Sequence, residues 1–249
     1  MFRDKTVLIT GAGNGIGAAT ARRLARDGAR LLLLDRDQEA VARIATETSA
    51  EAHICDVSDA TSMQAALEWC SDRAERLDAA VLNAGTEGRI GKIGELDIAD
   101  FDRVMAVNVR SIFLGLSLLI PMMSSAGGGS IVALSSTAGV RGSRGLAPYV
   151  ASKHAVIGLV RTAALEAAEA GVRINAVAPG PIETRMMLAI DAARSHRSPD
   201  KYRSSGDRQP MRRMGQPEEV AELIAFLCSD AASLCSGGVY MADGAGTAG

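Results

Sequence analysis

The chain has 249 residues, 47% of them apolar, enough to bury a sizeable core in one large domain and too apolar for a disordered protein. A formal net charge of −2 gives no overall basic field for nucleic acid or an anionic membrane surface, so small soluble ligands are the better fit. Cys55, Cys70, Cys228 and Cys235 form no C-x-x-C pair, and together with His53, His154 and His196 they show no metal-ligand spacing, so neither a disulfide framework nor a metal site is predicted.

Residues 1–5 run straight into Val7-Leu8-Ile9 without a basic leader, apolar h-region and cleavage site, and a cytoplasmic protein is expected. Short apolar or β-branched runs predict strands at 6–10, 30–34, 52–55, 79–82, 130–134, 173–178 and 238–241. Ala-rich amphipathic stretches between them predict helices at 15–27, 38–48, 60–73, 99–124, 148–170 and 217–227, two of them ending near Gly28 and Gly171. Continuous apolar strands alternating with helices imply right-handed crossovers and a parallel, doubly wound sheet in a single domain. The apolar segment 112–123 is too short to span a bilayer and reads as a core or interface helix. Only 181–210 breaks the pattern, as a long lid or loop.

Residues 10–17, Thr-Gly-Ala-Gly-Asn-Gly-Ile-Gly, join the first strand to the first helix, where glycines let backbone N–H groups approach a pyrophosphate at the positive helix end. Gly11, Gly15 and Gly17 carry this turn, with Asn14 and Ile16 between them; Ile16 stands where the third glycine of G-x-G-x-x-G would be. About twenty residues on, Asp35 ends the second strand, where an acid accepts hydrogen bonds from adenosine ribose hydroxyls. That favours NAD, as does the lack of a basic residue within the glycine turn, while Arg36 leaves NADP as the lesser alternative.

Tyr149 and Lys153 lie four apart on a predicted helix and share a face, so the ammonium is expected to pull down a phenol pKa that is ordinarily about 10. Hydride transfer between a carbonyl and an alcohol needs one group that gives and takes the hydroxyl proton, and Tyr149 is the candidate. Ser136, after the strand at 130–134, can hydrogen-bond the reacting oxygen, whereas Ser135 is expected to face the other way.

In this order, Thr10-Gly-x-x-x-Gly-x-Gly17, Asp56-Val57, Asn83-Ala-Gly85, Asn108, Ser136, Tyr149-x-x-x-Lys153 and Pro179-Gly180 through Thr184 resemble the single-domain short-chain dehydrogenase/reductase family, over residues 5 to about 244. The resemblance implies a Rossmann-like, seven-stranded parallel sheet with helices on both faces, and an NAD(P)-dependent oxidoreductase acting between a secondary alcohol and a ketone. It implies a catalytic set of Asn108, Ser136, Tyr149 and Lys153, in which the thirteen-residue spacing to Tyr149 selects Ser136 and Asn108 anchors a proton-relay water. Asp56 and Val57 would meet the adenine, Asn83, Ala84 and Gly85 would line the cofactor, and Pro179, Gly180, Ile182 and Thr184 would hold the nicotinamide end. A homotetramer, paired through the helices at 99–124 and 148–170 and the segment 238–244, is implied as well. Taken singly, Asp56 reads equally as a turn residue and Asn83 as a strand end.

The substrate is the least legible part. Residues 185–213 hold seven arginines and one lysine against three aspartates, a lid able to steer an anion or simply a solvated loop. Residues 186–190 are apolar and expected on the nicotinamide side, and residues 137–147 offer Val140 and Leu146 with Arg141 and Arg144 as polar handles. These loops and the segment Asn83-Ala-Gly-Thr-Glu-Gly88 resemble family members that handle small cyclic or otherwise hydrophobic alcohols and ketones, so such a substrate is favoured over 3-oxoacyl thioesters. The alternatives are a 3-oxoacyl thioester reductase and a non-catalytic dinucleotide-binding protein; too little chain follows Lys153 to enclose a sugar nucleotide.

Overall fold

The computed structural model describes residues 1–197 and 203–248. Its strands are β1 (Thr6–Thr10), β2 (Arg30–Asp35), β3 (Glu51–Ile54), β4 (Ala79–Leu82), β5 (Gly129–Leu134), β6 (Val172–Pro179) and β7 (Val239–Ala242), each within a residue or two of its predicted place. All neighbours are parallel, in the order β3-β2-β1-β4-β5-β6-β7, so the chain reverses its direction of winding between β1 and β4. The strands read as unbroken apolar runs because both faces are covered. In β1, Leu8 enters one core while Val7 and Ile9 enter the other, and Leu32 and Leu34 of β2 oppose Leu31 and Leu33 in the same way.

Helices α1 (Gly15–Arg26), α2 (Gln38–Thr48) and α8 (Pro217–Cys228) cover one face through Leu24, Ile44 and Ile224. On the other lie α3 (Ala60–Ser71), α5 (Ser111–Ser125) and α6 (Ala147–Ala167), contributing Met63, Leu119 and Val160. The carboxylates of Asp37 and Asp59 accept N–H bonds from Ala40 and Ser62, which fixes where α2 and α3 begin. Gly28, at φ +88°, turns the chain out of α1.

Two elements depart from expectation. The helix predicted at 99–124 is α4 (Ile98–Met105), a π turn (Ala106–Arg110) and α5 in one continuous rod, and α4 starts where the Asp97 side chain accepts the Asp100 N–H. At 28 residues, Ile98–Ser125 is long and apolar enough to cross a membrane, so the length argument made for 112–123 does not hold; here the rod packs against α3 and α6, with Ile112, Leu116, Leu119 and Met123 in the core. The segment taken as a lid or loop contains a further helix, α7 (Arg185–Arg197), begun where Thr184 Oγ1 accepts the Met187 N–H.

Candidate active site

Where the winding reverses, the residues that follow β1, β2, β4, β5 and β6 open into a cavity of about 1350 Å³. Gly11, Asn14, Gly15 and Ile16 line it at the start of α1. Asn14 caps α1 with no side-chain hydrogen bond, so the first-turn N–H groups remain available to an anion. The turn has no room for side chains: a Cβ on Gly11 would lie 2.8 Å from Ala84 Cα, and one on Gly17 would lie 2.1 Å from the Gly11 carbonyl oxygen. Gly17 is therefore buried beneath the turn and does not itself line the cavity.

Asp35 and Arg36 line the cavity beyond β2. The Asp35 carboxylate is held in place, accepting the Gly13 N–H at 2.9 Å and the Asp37 N–H at 3.0 Å. Two guanidiniums reach this end from helices: Arg22, which lines the cavity and is paired with Glu47 at 2.7 Å, and Arg43, which donates to the Gly13 carbonyl at 3.2 Å. Asp56 and Val57 line the wall after β3; Asp56 is also a turn residue, since the Ser58 hydroxyl and N–H bind its carboxylate at 2.7 and 2.9 Å and hold it below the usual range. Asn83 likewise has both roles, lining the cavity with Ala84 and Gly85 while its amide donates to the carbonyls of Thr10 and Gly11. Pro179, Gly180, Ile182 and Thr184 form the opposite wall, close enough that a Cβ on Gly15 would lie 3.2 Å from the Thr184 methyl group. An uncapped helix terminus, a crowded glycine turn and a fixed carboxylate at the end of β2 together fit a dinucleotide laid along the strand ends.

Ser136, Tyr149 and Lys153 line the same cavity. The Ser136 side chain stands beside the Tyr149 hydroxyl and pulls its titration down, and the buried Lys153 amine lies 5.6 Å from the Tyr149 ring centre while donating to the Leu134 carbonyl at 2.7 Å. Ser135 turns toward α6, its hydroxyl donating to the Lys153 carbonyl at 3.0 Å. Burial pulls Lys153 down to about 8. The phenol of Tyr149 moves the other way from expectation: burial raises it, the Ser136 side chain opposes the rise, and the Glu87 carboxylate adds to it. The reason is geometric. The phenol loses part of its hydration in the cavity wall, and the ammonium meant to offset that loss points its hydrogen bond at Leu134 and is itself weakened by burial.

Asn108 stands behind this wall, not in it. On the π turn its amide clasps Thr86, accepting the Thr86 N–H at 2.8 Å and donating to the Thr86 carbonyl at 2.9 Å, with a third bond to Ser152 at 3.0 Å. It flanks Gly85 opposite Lys153: a Cβ on Gly85 would lie 3.4 Å from Asn108 Oδ1 and 3.5 Å from Lys153 Nζ.

Leu146, Met186, Met187 and Ile190 supply apolar surface, whereas Leu188 on the outer side of α7 is exposed. Val140 and Arg144, expected as pocket residues, do not line the cavity, because the 3-10 turn at Thr137–Gly139 carries the loop outward. Arg141 does line it, donating to the Gly246 carbonyl at 2.5 Å. Much of the positive charge expected on 185–213 is engaged at home. Arg197 pairs with Glu95 and the Ile90 carbonyl, Arg213 grips Glu219 through two bonds of 2.7 Å, and Arg194 and Arg208 donate to Ser143 and Ser205. Residues 198–202 of that span lie outside the described residues. Glu87, Gln209 and Gly246 also line the cavity, and no sequence spacing marks them.

A family model described as enoyl-(acyl carrier protein) reductase matches residues 11–247. The chain is 37% identical to levodione reductase of Leifsonia aquatica over 98% of its own length and 94% of the relative's. It is 38% identical to cyclohexanol dehydrogenase of Acinetobacter sp. (strain SE19), covering 99% and 96%. A crystal structure of levodione reductase superposes with a TM-score of 0.93 at 37% identity, covering 100% of this chain and 99% of that one. A 3-ketoacyl-(acyl-carrier-protein) reductase from Brucella melitensis, complexed with NADH, superposes with a TM-score of 0.90 at 32% identity, covering 98% and 99%.

Proposed function

The chain belongs to the short-chain dehydrogenase/reductase family, as an NAD(P)-dependent oxidoreductase acting between secondary alcohols and ketones, and from that premise we propose that its substrate is a small ring alcohol or ketone and its dinucleotide NAD. One observation carries the reading most: the hydroxyl-bearing Ser136 and Tyr149 share a cavity with the apolar side chains of Leu146, Met186, Met187 and Ile190. Two hydroxyls beside four apolar side chains suit a compact hydrocarbon ring carrying the reacting oxygen. Relatives named for levodione reduction and cyclohexanol oxidation support the same class.

In this reading Tyr149 takes the hydroxyl proton of the alcohol in oxidation and returns it in reduction. Ser136 donates a hydrogen bond to the reacting oxygen and so stabilises negative charge as it develops there. Lys153 contributes positive charge behind the phenol, and Asn108, through Thr86, sets the loop that closes this wall. The dinucleotide, when bound, supplies the hydride acceptor or donor. It would be held by Gly11, Asn14, Gly15 and Ile16 at its phosphates, with Gly17 packed beneath that turn, by Asp35, Arg36, Asp56 and Val57 at the adenosine, by Asn83, Ala84 and Gly85 along its middle, and by Pro179, Gly180, Ile182 and Thr184 with Tyr149 and Lys153 at the nicotinamide. The fixed Asp35 carboxylate accepts ribose hydroxyls and repels a 2′-phosphate, which supports NAD over NADP. Residues 181–213 act as the substrate lid. Four free thiols, three of them buried, fit a reducing compartment, and we infer the cytoplasm.

The test is a panel of ring alcohols and ketones, neutral aliphatic ketones and 3-oxoacyl thioesters, each with both dinucleotides. Turnover of ring substrates with NAD is expected; strong activity confined to 3-oxoacyl thioesters would reverse the substrate assignment. Asp35→Ser should shift the ratio of kcat/KM toward NADP, and an unchanged ratio would move the discrimination to Arg36 or Arg22.

A further inference from the structure

Glu87 is a carboxylate in the cavity that the acid/base machinery does not use. It lines the cavity with Ser136 and Tyr149, is only partly accessible, and makes no hydrogen bond or ion pair among the described residues. Eight cations line the cavity too, Arg22 and Arg36 at the dinucleotide end and Lys153, Arg103, Arg141, Arg185, Arg194 and Arg208 elsewhere, yet none lies within ion-pair distance of Glu87 among the described residues. Its backbone sits on a loop that is held on both sides, so its side chain starts from a fixed place on the cavity wall. Asn108 clasps Thr86 before it through paired bonds of 2.8 and 2.9 Å. After it, Gly88 adopts φ +70° against α4, where a Cβ would lie 2.4 Å from Val104 Cγ2, so neither the conformation nor the space admits a side chain.

A carboxylate left without a protein partner on the cavity wall is free to take one from a ligand. It accepts hydrogen bonds and donates none. Resting on the ring-substrate reading above, we propose that Glu87 is a specificity-determining residue that accepts a hydrogen bond from a second hydroxyl of the substrate, so that the preferred substrates are ring diols and hydroxyketones over rings with one oxygen. The proximity of its charge to the Tyr149 hydroxyl, which holds the phenol up, places the two groups in one electrostatic neighbourhood.

The experiment compares kcat/KM for cyclohexanol with those for the 1,2-, 1,3- and 1,4-cyclohexanediols in the wild type, Glu87→Gln and Glu87→Leu. The best diol should exceed cyclohexanol by roughly ten- to a hundred-fold in the wild type, the worth of a hydrogen bond to a charged group. Glu87→Leu should bring that ratio close to one, and the isosteric Glu87→Gln should retain part of it. With cyclohexanol, the rise of oxidation rate with pH should move to lower pH in Glu87→Gln, because removing the anion eases ionisation of Tyr149. A wild-type ratio of one, a ratio unmoved by Glu87→Leu, or a pH profile that stays in place in Glu87→Gln would each overturn the proposal. Absence of turnover on every ring alcohol in the wild type would instead overturn the ring-substrate reading on which it rests.

Discussion

At the scale of single residues, the pair Tyr149 and Lys153 is built at a cost to the fold. Burial raises the phenol, so in alcohol oxidation, which needs the tyrosine ionised, kcat/KM should climb through the alkaline range. Tyr149→Phe should lower turnover by roughly 10² to 10⁴ and abolish that climb while dinucleotide affinity persists, as read from pH-rate profiles and a binding titration. Lys153 is held at about 8 against an ordinary 10.5, a gap that corresponds to a penalty on the order of 3 kcal/mol for carrying the charge at neutral pH. Because the folded value is the lower one, the penalty is full below about 8 and fades as pH rises toward 10.5. Lys153→Met should therefore lose activity yet raise Tm at pH 7, even after losing a bond to Leu134 worth about 1 kcal/mol, and the gain should shrink by pH 10. Equal or lower Tm at pH 7 would contradict this account.

Among the elements, α7 decides how the substrate side is closed. Asp191, buried on α7, accepts both the N–H and the hydroxyl of Ser205 at 2.9 and 2.5 Å, and this pair ties the helix to the turns at 203–213. Asp191→Ala would leave both donors buried without a partner, at about 1–3 kcal/mol, and should raise KM for ring substrates and speed proteolysis within 203–213, with NAD affinity little changed. Unaltered KM and proteolysis rates would remove this latch from the closing device. The element was illegible for a physical reason: its apolar residues Met186, Met187 and Ile190 line the cavity and not the core, and Arg194 and Arg197 reach partners on other segments, so no amphipathic stripe forms. The strands, by contrast, were legible within a residue or two because burial on both faces leaves no polar position to blur them. Of the site, the residues in the glycine turn, at the strand ends and on α6 were readable from spacing, whereas Glu87, Arg22 and Gln209 reach the cavity only by tertiary placement. Even the readable pair misled on one point, since spacing says that Lys153 and Tyr149 share a face but not where the amine spends its hydrogen bond.

For the molecule as a whole, the exposed apolar residues fall outside the cavity. Phe113 and Leu165, 57% and 82% exposed, lie on α5 and α6, and Leu234 and Met241 stand near β7 at 97% and 36%. A homotetramer, which the family resemblance implies, would cover these surfaces. Static light scattering at micromolar concentration should give the mass of a homotetramer, and Leu165→Glu, exposed and so harmless to one chain's fold, should lower it. A wild-type monomer would refute the assembly.

The reversal of winding between β1 and β4 also divides the molecule's inheritance. Asp35, Arg36, Asp56 and Val57 all precede β4, while Ser136, Tyr149, Leu146 and the α7 methionines all follow β5. The two groups meet only across the cavity, as where Gly15 faces Thr184. A crossover between relatives placed in residues 126–128, the turn from α5 to β5, would thus pass on the dinucleotide preference of one parent and the acid/base pair and lid of the other, while Glu87 and Asn108 travel with the dinucleotide end.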